Sequence, residues 1–311
     1  MVRHSTNGTR RDRRVLACIP YFHCRRYIRR AVLSMLNQTH RDMTVVVIND
    51  GDPQPPWDLL ADIADSRLVR FTIAANYGPY FANAIALNAT SAPYFLMQDA
   101  DDWSVPTRAS ELLDRLEAEG SDLAVSAQPQ YVETAHGQRI FDVRWAGIAK
   151  NGSSPHRFTV NLTLGPEFAY RAPHAGLFRS DSIRRVGGYY GGFRIGYDTI
   201  LTNHILMTGR ISHVANPLYF RLARPDSLTH SPLTGSRSAI WSATTAAIES
   251  MYKHSFFWYS LYIAGKIDSE CLGGAIRNAV ARNITAASAL RLEGEAQKLK
   301  QVFQAQRIEP V

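Results

Sequence analysis

Three aspartates that follow a short apolar run are the strongest sign of chemistry in this sequence. The run Tyr94–Met97 is apolar throughout, and after Gln98 come Asp99, Asp101 and Asp102. Such a run predicts a buried strand, and in open α/β sheets ligands bind beyond the carboxyl ends of the strands. Asp99 and Asp101 are two residues apart, so an extended backbone places both carboxylates on one side. Two hard oxygen ligands at this spacing are typical of Mg²⁺ or Mn²⁺ sites that are shared with substrate phosphates.

Helix capping is the alternative explanation for the acidic stretch. Asp102 has the residue type of an N-cap, and Pro106 would lie in the first turn of the next helix. Capping explains one aspartate and leaves the other two without a role. We therefore favour a site for a metal ion and a diphosphate.

Length and composition are those of an ordinary globular protein. The chain has 311 residues, 45% of them hydrophobic, which suffices for one large domain or two small ones. The sequence shows no apolar run of about 18 residues and no apolar signal segment. Its three cysteines match neither a disulfide framework nor a zinc site, so we expect a reducing, cytoplasmic location.

The formal net charge of +8 comes partly from two clusters of arginine. Residues 1–13 are basic and lack apolar periodicity, which predicts a disordered tail. The second cluster lies at residues 25–30 on the first predicted helix. It is either a solvated helix face or a surface that attracts anionic substrates or a membrane. Nucleic acid is not an expected partner, because no nucleic-acid-binding motif is recognised.

Alternating strands and helices must position the aspartates. Strand patterns occur at 15–20, 43–48, 68–73, 94–98 and 122–126, and helix patterns at 25–38, 57–65, 80–90 and 107–119. The first strand, helix and strand form a βαβ unit. The continued alternation predicts an α/β fold with a mostly parallel central sheet flanked by helices.

The second half of the chain has a weaker pattern. Residues from 127 to about 170 are interpreted as strands and loops that receive a second substrate. Further elements are predicted at 175–178, 182–189, 198–208 and 211–214. The tail from 236 onwards is helical, and its most hydrophobic patch is 256–263. This patch is expected to pack on the rest of the protein or on a dimer partner, with a peripheral membrane contact as the alternative.

Several motifs, taken in chain order, resemble those of the family 2 glycosyltransferases, which are inverting enzymes of the GT-A fold. The motifs are Ile19-Pro20-Tyr21, the helix ending at Asn37-Gln38-Thr39, Val47-Ile48-Asn49-Asp50-Gly51, Asn76-Tyr77-Gly78-Pro79, Asp99-Ala100-Asp101-Asp102, Val186-Gly187-Gly188-Tyr189 and Asn216-Pro217-Leu218-Tyr219. Each is weak alone, but their order is specific. The resemblance covers roughly residues 14–230.

The resemblance implies a division of the chain. Residues 14–235 would form a Rossmann-like GT-A catalytic domain. Its nucleotide-binding half would be 14–103 and its acceptor-binding half 104–235. The basic tail 1–13 would precede this domain, and a helical C-terminal region, 236–311, would follow it.

The resemblance also implies residues for the nucleotide. Asp50 matches the family position that accepts the N–H of uracil. Pro20 and Tyr21 would form the wall of the base site, with Tyr21 supplying an aromatic face. Asn76 and Gly78 match the turn beside that site. A turn aspartate before a glycine is the alternative for Asp50.

Further residues are implied for the diphosphate. Asp99 matches the position that contacts the ribose or the metal, and Asp101 the position that binds Mn²⁺ or Mg²⁺, which would neutralise charge on the leaving nucleoside diphosphate. Arg221 or Arg224 would pair with phosphate, and His230 would be a further metal ligand. A solvated or structural role is the alternative for these last three.

Two departures from the family pattern affect the site. One concerns the contact with the nucleotide base, and the other concerns the general base. Asn83 and Ala84 stand where the family has Arg-Asn, so one contact to the nucleotide base is missing; uracil is expected, with thymine or guanine left open. The family places its general base in a Glu-Asp pair, whereas this chain has Tyr197-Asp198. Asp198 is therefore expected to be the catalytic base, with the N-cap of the following helix as the alternative.

The sequence thus predicts a metal-dependent, inverting hexosyl- or N-acetylhexosaminyl-transferase. Its donor would be a nucleoside-diphosphate sugar, expected to be a UDP-sugar, and its acceptor a secondary metabolite or a carrier-linked glycan. A sugar nucleotidyltransferase is one alternative, but such enzymes normally have a glycine-rich loop where Tyr21–Cys24 stands. A catalytically inactive nucleotide-sugar-binding module is the other, supported by the missing glutamate.

Overall fold

A computed structural model describes residues 12–134, 137–144, 175–228, 230–232, 234–235 and 238–308, and for 133–134 and 137–144 it describes the backbone alone. Most of the predicted basic tail lies outside these ranges. So do residues 145–170 of the stretch that was expected to receive a second substrate.

The first half of the chain builds four parallel strands, ordered β3-β2-β1-β4. These are β1 (Val15–Tyr21), β2 (Met43–Asp50), β3 (Leu68–Ile73) and β4 (Tyr94–Met97). The central residues of β2, Val45 to Ile48, are 0% exposed. Strands with helices on both faces need such continuous apolar runs. The helices here are α1 (Arg25–Leu36) and α2 (Pro79–Ala89).

The second half extends the same sheet with mixed strand directions. Its strands are β5 (Trp103–Ser104), β6 (Leu123–Thr134), β7 (Gly137–Arg144), β8 (Leu177–Arg179), β9 (Ile211–Pro217) and β10 (Tyr219–Ala223). β8 lies antiparallel between β4 and β6 and so joins the halves. β9 and β10 run parallel to β6. β5 pairs antiparallel with β10, and β7 pairs antiparallel with β6. The predicted α/β class is confirmed, and the parallel character is strongest in the first half.

The remaining helices follow the predicted order with two corrections. They are α3 (Arg108–Ala118), α4 (Ser180–Arg185), α5 (Tyr197–Thr208), α6 (Ala239–Ile263), α7 (Ser269–Ala281) and α8 (Ala286–Ala305). The helix predicted at 57–65 is one 3₁₀ turn, Asp58–Leu60. Thr107, and not Asp102, is the N-cap residue of α3, so the capping explanation for Asp102 is wrong.

The last helix, α8, packs against α2 of the first half, whereas α6 and α7 pack against α5 and against each other. Leu299 and Phe303 of α8 are 0% exposed and share one apolar core with Phe81 and Ile85 of α2. Phe257 of α6 is 58% exposed. Across the described ranges, no helix has both the length and the apolar character needed to cross a membrane.

Candidate active site

The three aspartates lie in the loop between β4 and β5, at the carboxyl edge of the sheet. The backbone N–H of Gln98 donates to the carbonyl oxygen of Cys18 at 3.1 Å, so the loop leaves the sheet beside the end of β1. Asp102 is buried, whereas Asp99 and Asp101 are partly exposed. The expected placement of these carboxylates at a strand end is therefore observed, and we call residues 99–102 the acidic loop.

Asp102 anchors β10 to the acidic loop. Its Oδ1 accepts the backbone N–H of Leu222 at 2.7 Å, and its Oδ2 accepts the hydroxyl of Tyr219 at 2.6 Å. The same hydroxyl lies 3.2 Å from Asp99 Oδ2. Burial, together with the charges of Asp101 and Asp99, raises the pKa of Asp102 well above its usual value. These contacts, which come from far along the chain, replace the predicted cap.

Arg224 places a positive charge beside Asp101. Its Nε donates to Asp101 Oδ2 at 2.7 Å, its Nη2 lies 3.3 Å from Cys24 Sγ, and its Nη1 donates to Asp226 at 3.0 Å. Its side chain is only 10% exposed. Burial and the charge of Asp99 raise the pKa of Asp101, while Arg224 opposes that shift. Arg224 thus lies at the acidic loop, and its predicted contact with phosphate stays a prediction.

Arg221 is the second predicted phosphate contact. Its Nη1 is buried and has no hydrogen-bond partner among the residues that the structure describes. Arg221 directly precedes Leu222, whose backbone N–H bonds Asp102, so it lies near the acidic loop, and its charge opposes the rise in the pKa of Asp102. A buried guanidinium nitrogen without a partner is costly unless a ligand satisfies it.

Arg108 supports the acidic loop from behind, and sequence reasoning missed it. It is 0% exposed and donates to Met97 O at 2.8 Å and to Gln98 Oε1 at 3.0 Å. Its guanidinium lies 4.4 Å from the centre of the Tyr219 ring. Burial lowers its pKa to about 10. The available signal was its place four residues before Leu112, on the apolar face of α3.

Asp50 builds the turn at residues 76–78. Its Oδ1 and Oδ2 accept the backbone N–H groups of Tyr77 and Gly78, each at 2.8 Å, and Asn76 Nδ2 donates to its carbonyl oxygen at 3.1 Å. Burial outweighs these bonds and raises its pKa. Gly51 has φ +71°, and a Cβ there would clash with the backbone of Ala75. Asp50 therefore has a structural role, and its contact with a nucleotide base stays a prediction.

A cavity of about 500 Å³ opens where the β1–α1 loop, the residues after β2 and Arg224 meet. It is lined by His23, Arg25, Arg26, Tyr27, Asp52, Pro53, Gln54, Arg224 and Asp226. Pro20 is partly exposed, whereas Tyr21 is fully buried and donates its hydroxyl to Gln54 O at 3.2 Å. Of the aromatic residues that line this cavity, His23 is exposed and Tyr27 is partly exposed, and the ring of Phe22 lies 4.0 Å from that of His23. The role of Tyr21 as a wall for the base stays a prediction.

Asp198 lies in the first turn of α5. The N-cap residue of that helix is Gly196, with φ +74°, so Asp198 is not the cap. The hydroxyl of Tyr80 donates to Asp198 Oδ1 at 2.7 Å. Sequence reasoning missed Tyr80, which α2 positions two residues after Gly78. The side chain of Arg194 also contacts Asn76, so the segment before α5 lies against the 76–78 turn.

Asp99 and Asp101 fit a divalent cation that is shared with phosphate. Burial and the charge of Asp99 disfavour ionisation of Asp101, and a cation would relieve the repulsion between the two carboxylates. Within the described ranges, no cluster of three or more His, Cys, Asp or Glu residues has the geometry to hold an ion alone. His230 is exposed, with its Nδ1 2.8 Å from Ser227 Oγ. Its role as a metal ligand stays a prediction.

Comparison with known sequences identifies relatives of part of the chain. The family model "Glycosyl transferase family 2" matches residues 17–187. WfaP of Escherichia coli, named as a UDP-Glc:alpha-D-GlcNAc-diphosphoundecaprenol beta-1,3-glucosyltransferase, is 30% identical over 103 residues, which are 32% of this chain and 40% of the relative. Glycosyltransferase GlyA of Streptococcus pneumoniae is 24% identical over 115 residues, 37% and 16% of the two chains. The chain thus spans less than half the length of these relatives.

Comparison with solved structures identifies the fold. S. aureus TarS 1–349 in complex with UDP-GlcNAc superposes with a TM-score of 0.57 and 13% identity over 95% of this chain and 88% of TarS 1–349. The complex of TarS 1–349 with UDP gives a TM-score of 0.53 over 95% of this chain and 90% of the TarS chain. At this identity the likeness shows a shared fold, which is the GT-A fold expected from the sequence.

Proposed function

Because the chain belongs to glycosyl transferase family 2, we propose that it transfers a sugar from a UDP-sugar to an acceptor hydroxyl with inversion at the anomeric carbon. The observation that carries this proposal is the link between the expected nucleotide side of the site and the candidate base. Asp50, at the carboxyl end of β2, holds the backbone of the 76–78 turn, and Tyr80, two residues after that turn, donates its hydroxyl to Asp198 at 2.7 Å. The turn expected beside the nucleotide and the candidate base therefore border one region.

UDP is the proposed nucleotide of the donor. TarS, which shares the fold, has been crystallised with UDP and with UDP-GlcNAc. The name of WfaP specifies UDP-Glc. The proposed sugar is accordingly a hexose or an N-acetylhexosamine. These names support the choice, and titration calorimetry with UDP, GDP and dTDP tests it.

The donor diphosphate is proposed to bind at the acidic loop. Asp99 and Asp101 would hold Mn²⁺ or Mg²⁺, and the bound ion would neutralise charge on the leaving nucleoside diphosphate. Arg221 and Arg224 are the cations beside this loop. A guanidinium forms paired hydrogen bonds with phosphate oxygens, so either side chain can orient the diphosphate.

Asp198 is proposed to be the general base. It would take the proton of the acceptor hydroxyl while the acceptor oxygen forms its bond to the anomeric carbon and the bond to UDP breaks. One displacement inverts the anomeric carbon, so no covalent enzyme intermediate forms. UDP leaves with the bonding electron pair.

The acceptor is proposed to be a carrier-linked glycan or a secondary metabolite. The acceptor named for WfaP is a GlcNAc unit on diphosphoundecaprenol, which favours the carrier-linked class. A panel of carrier-linked and free acceptors, assayed by UDP release, would distinguish the classes.

Titration calorimetry with UDP tests the donor site. We expect binding that requires Mn²⁺, that is weaker for GDP and dTDP, and that is lost in Asp101→Ala. Asp62→Ala is the matched control, because Asp62 is also paired with an arginine but has a side chain that is 66% exposed. Lack of binding to any nucleoside diphosphate would contradict the proposal. UDP binding without turnover of any UDP-sugar would indicate an inactive binding module.

A further inference from the structure

Tyr80 and Asp198 are joined by a short hydrogen bond between two distant parts of the chain. The Tyr80 hydroxyl lies 2.7 Å from Asp198 Oδ1. Tyr80 is 8% exposed, whereas Asp198 is partly exposed, so water reaches the carboxylate but little of the tyrosine. A hydrogen bond to an ionised carboxylate is roughly twice as strong as one between neutral groups.

The position of Tyr80 is fixed by the nucleotide side of the site. Asp50 holds the backbone of Tyr77 and Gly78, and α2 begins directly after this turn with Pro79. Proline presets the backbone angle of a first helical residue. Tyr80 is the next residue, so its hydroxyl is directed by the turn that Asp50 forms.

Tyr197, the residue before Asp198, does not donate a hydrogen bond to the Asp198 carboxylate through its hydroxyl. Tyr197 is 0% exposed, and its hydroxyl donates to Gly188 O at 3.2 Å. Its ring packs edge to face against Tyr80 with 5.9 Å between centres. Tyr197 therefore restricts the Tyr80 ring, and the contact with the Asp198 carboxylate comes from Tyr80.

Tyr80 is suited to donate a hydrogen bond and not to accept a proton as a base. Burial and the charge of Asp198 raise the pKa of Tyr80 well above its usual value, so the phenol stays protonated. A carboxylate has two oxygens and accepts about four hydrogen bonds, so the bond from Tyr80 does not by itself exclude an acceptor hydroxyl.

We propose that Tyr80 is a positioning residue for the general base, orienting the Asp198 carboxylate toward the acceptor hydroxyl. This inference rests on the proposed function, in which Asp198 is the base. It adds that the turn at 76–78 sets the geometry of the nucleotide side and of the base together. The contact between Arg194 and Asn76 is a second link of the same kind.

The variant Tyr80→Phe tests the inference by removing one hydroxyl and keeping the ring. Turnover would be followed as UDP release from the preferred UDP-sugar, with water or the best panel acceptor as nucleophile. We expect kcat to fall about 10- to 100-fold, the effect of losing one hydrogen bond to a charged group. The KM for the donor and the affinity for UDP should not change.

Tyr94→Phe is the matched control. Its hydroxyl donates to a carboxylate, Glu117 Oε1, at 3.0 Å, but at the opposite end of β4 from the acidic loop. We expect wild-type kcat for this variant. Unchanged UDP affinity of Tyr80→Phe shows that its donor site is folded. If that variant does not fold, Tyr80→His, whose ring N–H can still donate, should keep a larger part of kcat than Tyr80→Leu.

A double-mutant cycle with Asp198→Asn separates this inference from the proposed function. Asp198→Asn should lower kcat by roughly 10²- to 10⁴-fold, and adding Tyr80→Phe should then have little further effect. Near-full turnover of Asp198→Asn would overturn the assignment of the base itself. A slow Asp198→Asn beside a fully active Tyr80→Phe would overturn the role of Tyr80 alone. Equal effects of Tyr80→Phe in both backgrounds would also overturn it.

Discussion

The acidic loop and the start of α5 hold their carboxylates by different means. In the loop, Asp102 accepts two hydrogen bonds from β10, and Asp101 is paired with Arg224. At α5, Asp198 accepts its hydrogen bond from the neutral hydroxyl of Tyr80. The loop therefore combines charge with burial, whereas the start of α5 combines a fixed helix with a hydrogen bond from a neutral group. This difference suits the proposed roles, in which the loop binds an anionic diphosphate and Asp198 exchanges a proton.

The largest expected effect is on the stability of the loop. Asp102→Ala removes the acceptor of the buried Leu222 N–H and leaves the Tyr219 hydroxyl only its 3.2 Å contact with Asp99 Oδ2, so it should lower the free energy of unfolding by roughly 2–4 kcal/mol. Asp198→Ala should lower it by only about 1 kcal/mol, because water can reach that partly exposed site. Urea denaturation measures both. Equal losses would show that the two regions are held alike.

The pH dependence of stability sharpens the same contrast. The folded-state pKa values of Asp50, Asp101 and Asp102 are raised above the usual 3.8, chiefly by burial. The folded state thus binds more protons than the unfolded chain just above that pH. These three groups should therefore contribute a stability that falls as pH rises from about 4 through their folded pKa values.

The measurement is the free energy of unfolding without added metal, in wild type and in Asp102→Asn. The difference between the two should change with pH in this window, since the variant lacks one of the shifted carboxyl groups. A difference that stays constant from pH 4 to 7 would contradict the origin of the slope in Asp102.

A smaller effect is expected at Arg224. Arg224→Gln removes the cation that pairs with Asp101 at 2.7 Å, so Mn²⁺ should bind about tenfold more tightly in the absence of donor, which corresponds to roughly 1.4 kcal/mol. Arg26→Gln, a change at an exposed arginine of the same cavity, is the control. Calorimetry with Mn²⁺ alone measures the change. Weaker Mn²⁺ binding in Arg224→Gln would mean that Arg224 assists the metal site and does not compete with it.

The smallest effect is expected at the contact between α8 and the 76–78 turn. The Arg291 guanidinium lies 4.7 Å from the centre of the Tyr77 ring. Arg291→Ala should lower the free energy of unfolding by about 0.5–1 kcal/mol, the usual size of such a contact, and the exposed Arg282→Ala should change it less. A loss as large as that of Asp102→Ala would show that the turn is held as firmly as the acidic loop.

Local patterns in the sequence predict the elements well where burial is continuous. The short, continuous apolar runs of β1, β2 and β4 are compatible with few structures other than buried strands. The carboxyl ends of these strands place Asp50 and the acidic loop at one edge of the sheet. The prediction of a helix at 57–65 was wrong because the apolar pattern of this segment is short. Its aspartates, Asp58 and Asp62, instead pair with Arg25 and Arg29 of α1.

The partners of the site residues could not be predicted, because they come from distant parts of the chain. Asp102 has the local signs of a cap, and only the fold brings Tyr219 and Leu222 to it. Tyr80 and Asp198 are likewise brought together by tertiary packing. Arg108 was missed because a fully buried arginine is rare, so its charge predicts exposure. Local propensity is a weak guide wherever tertiary contacts decide.

The packing of α8 on α2 has a consequence for how the chain folds during synthesis. Tyr77 and Phe81 leave the ribosome long before Arg291, whose guanidinium packs on the Tyr77 ring, and Phe303, which lies in the same apolar core as Phe81. The face of α2 that α8 covers in the folded protein therefore stays exposed while the intervening chain is made. A waiting apolar surface of this kind attracts chaperones or other nascent chains. The yield of active protein in a cell should thus depend on how quickly the ribosome reaches the final helix.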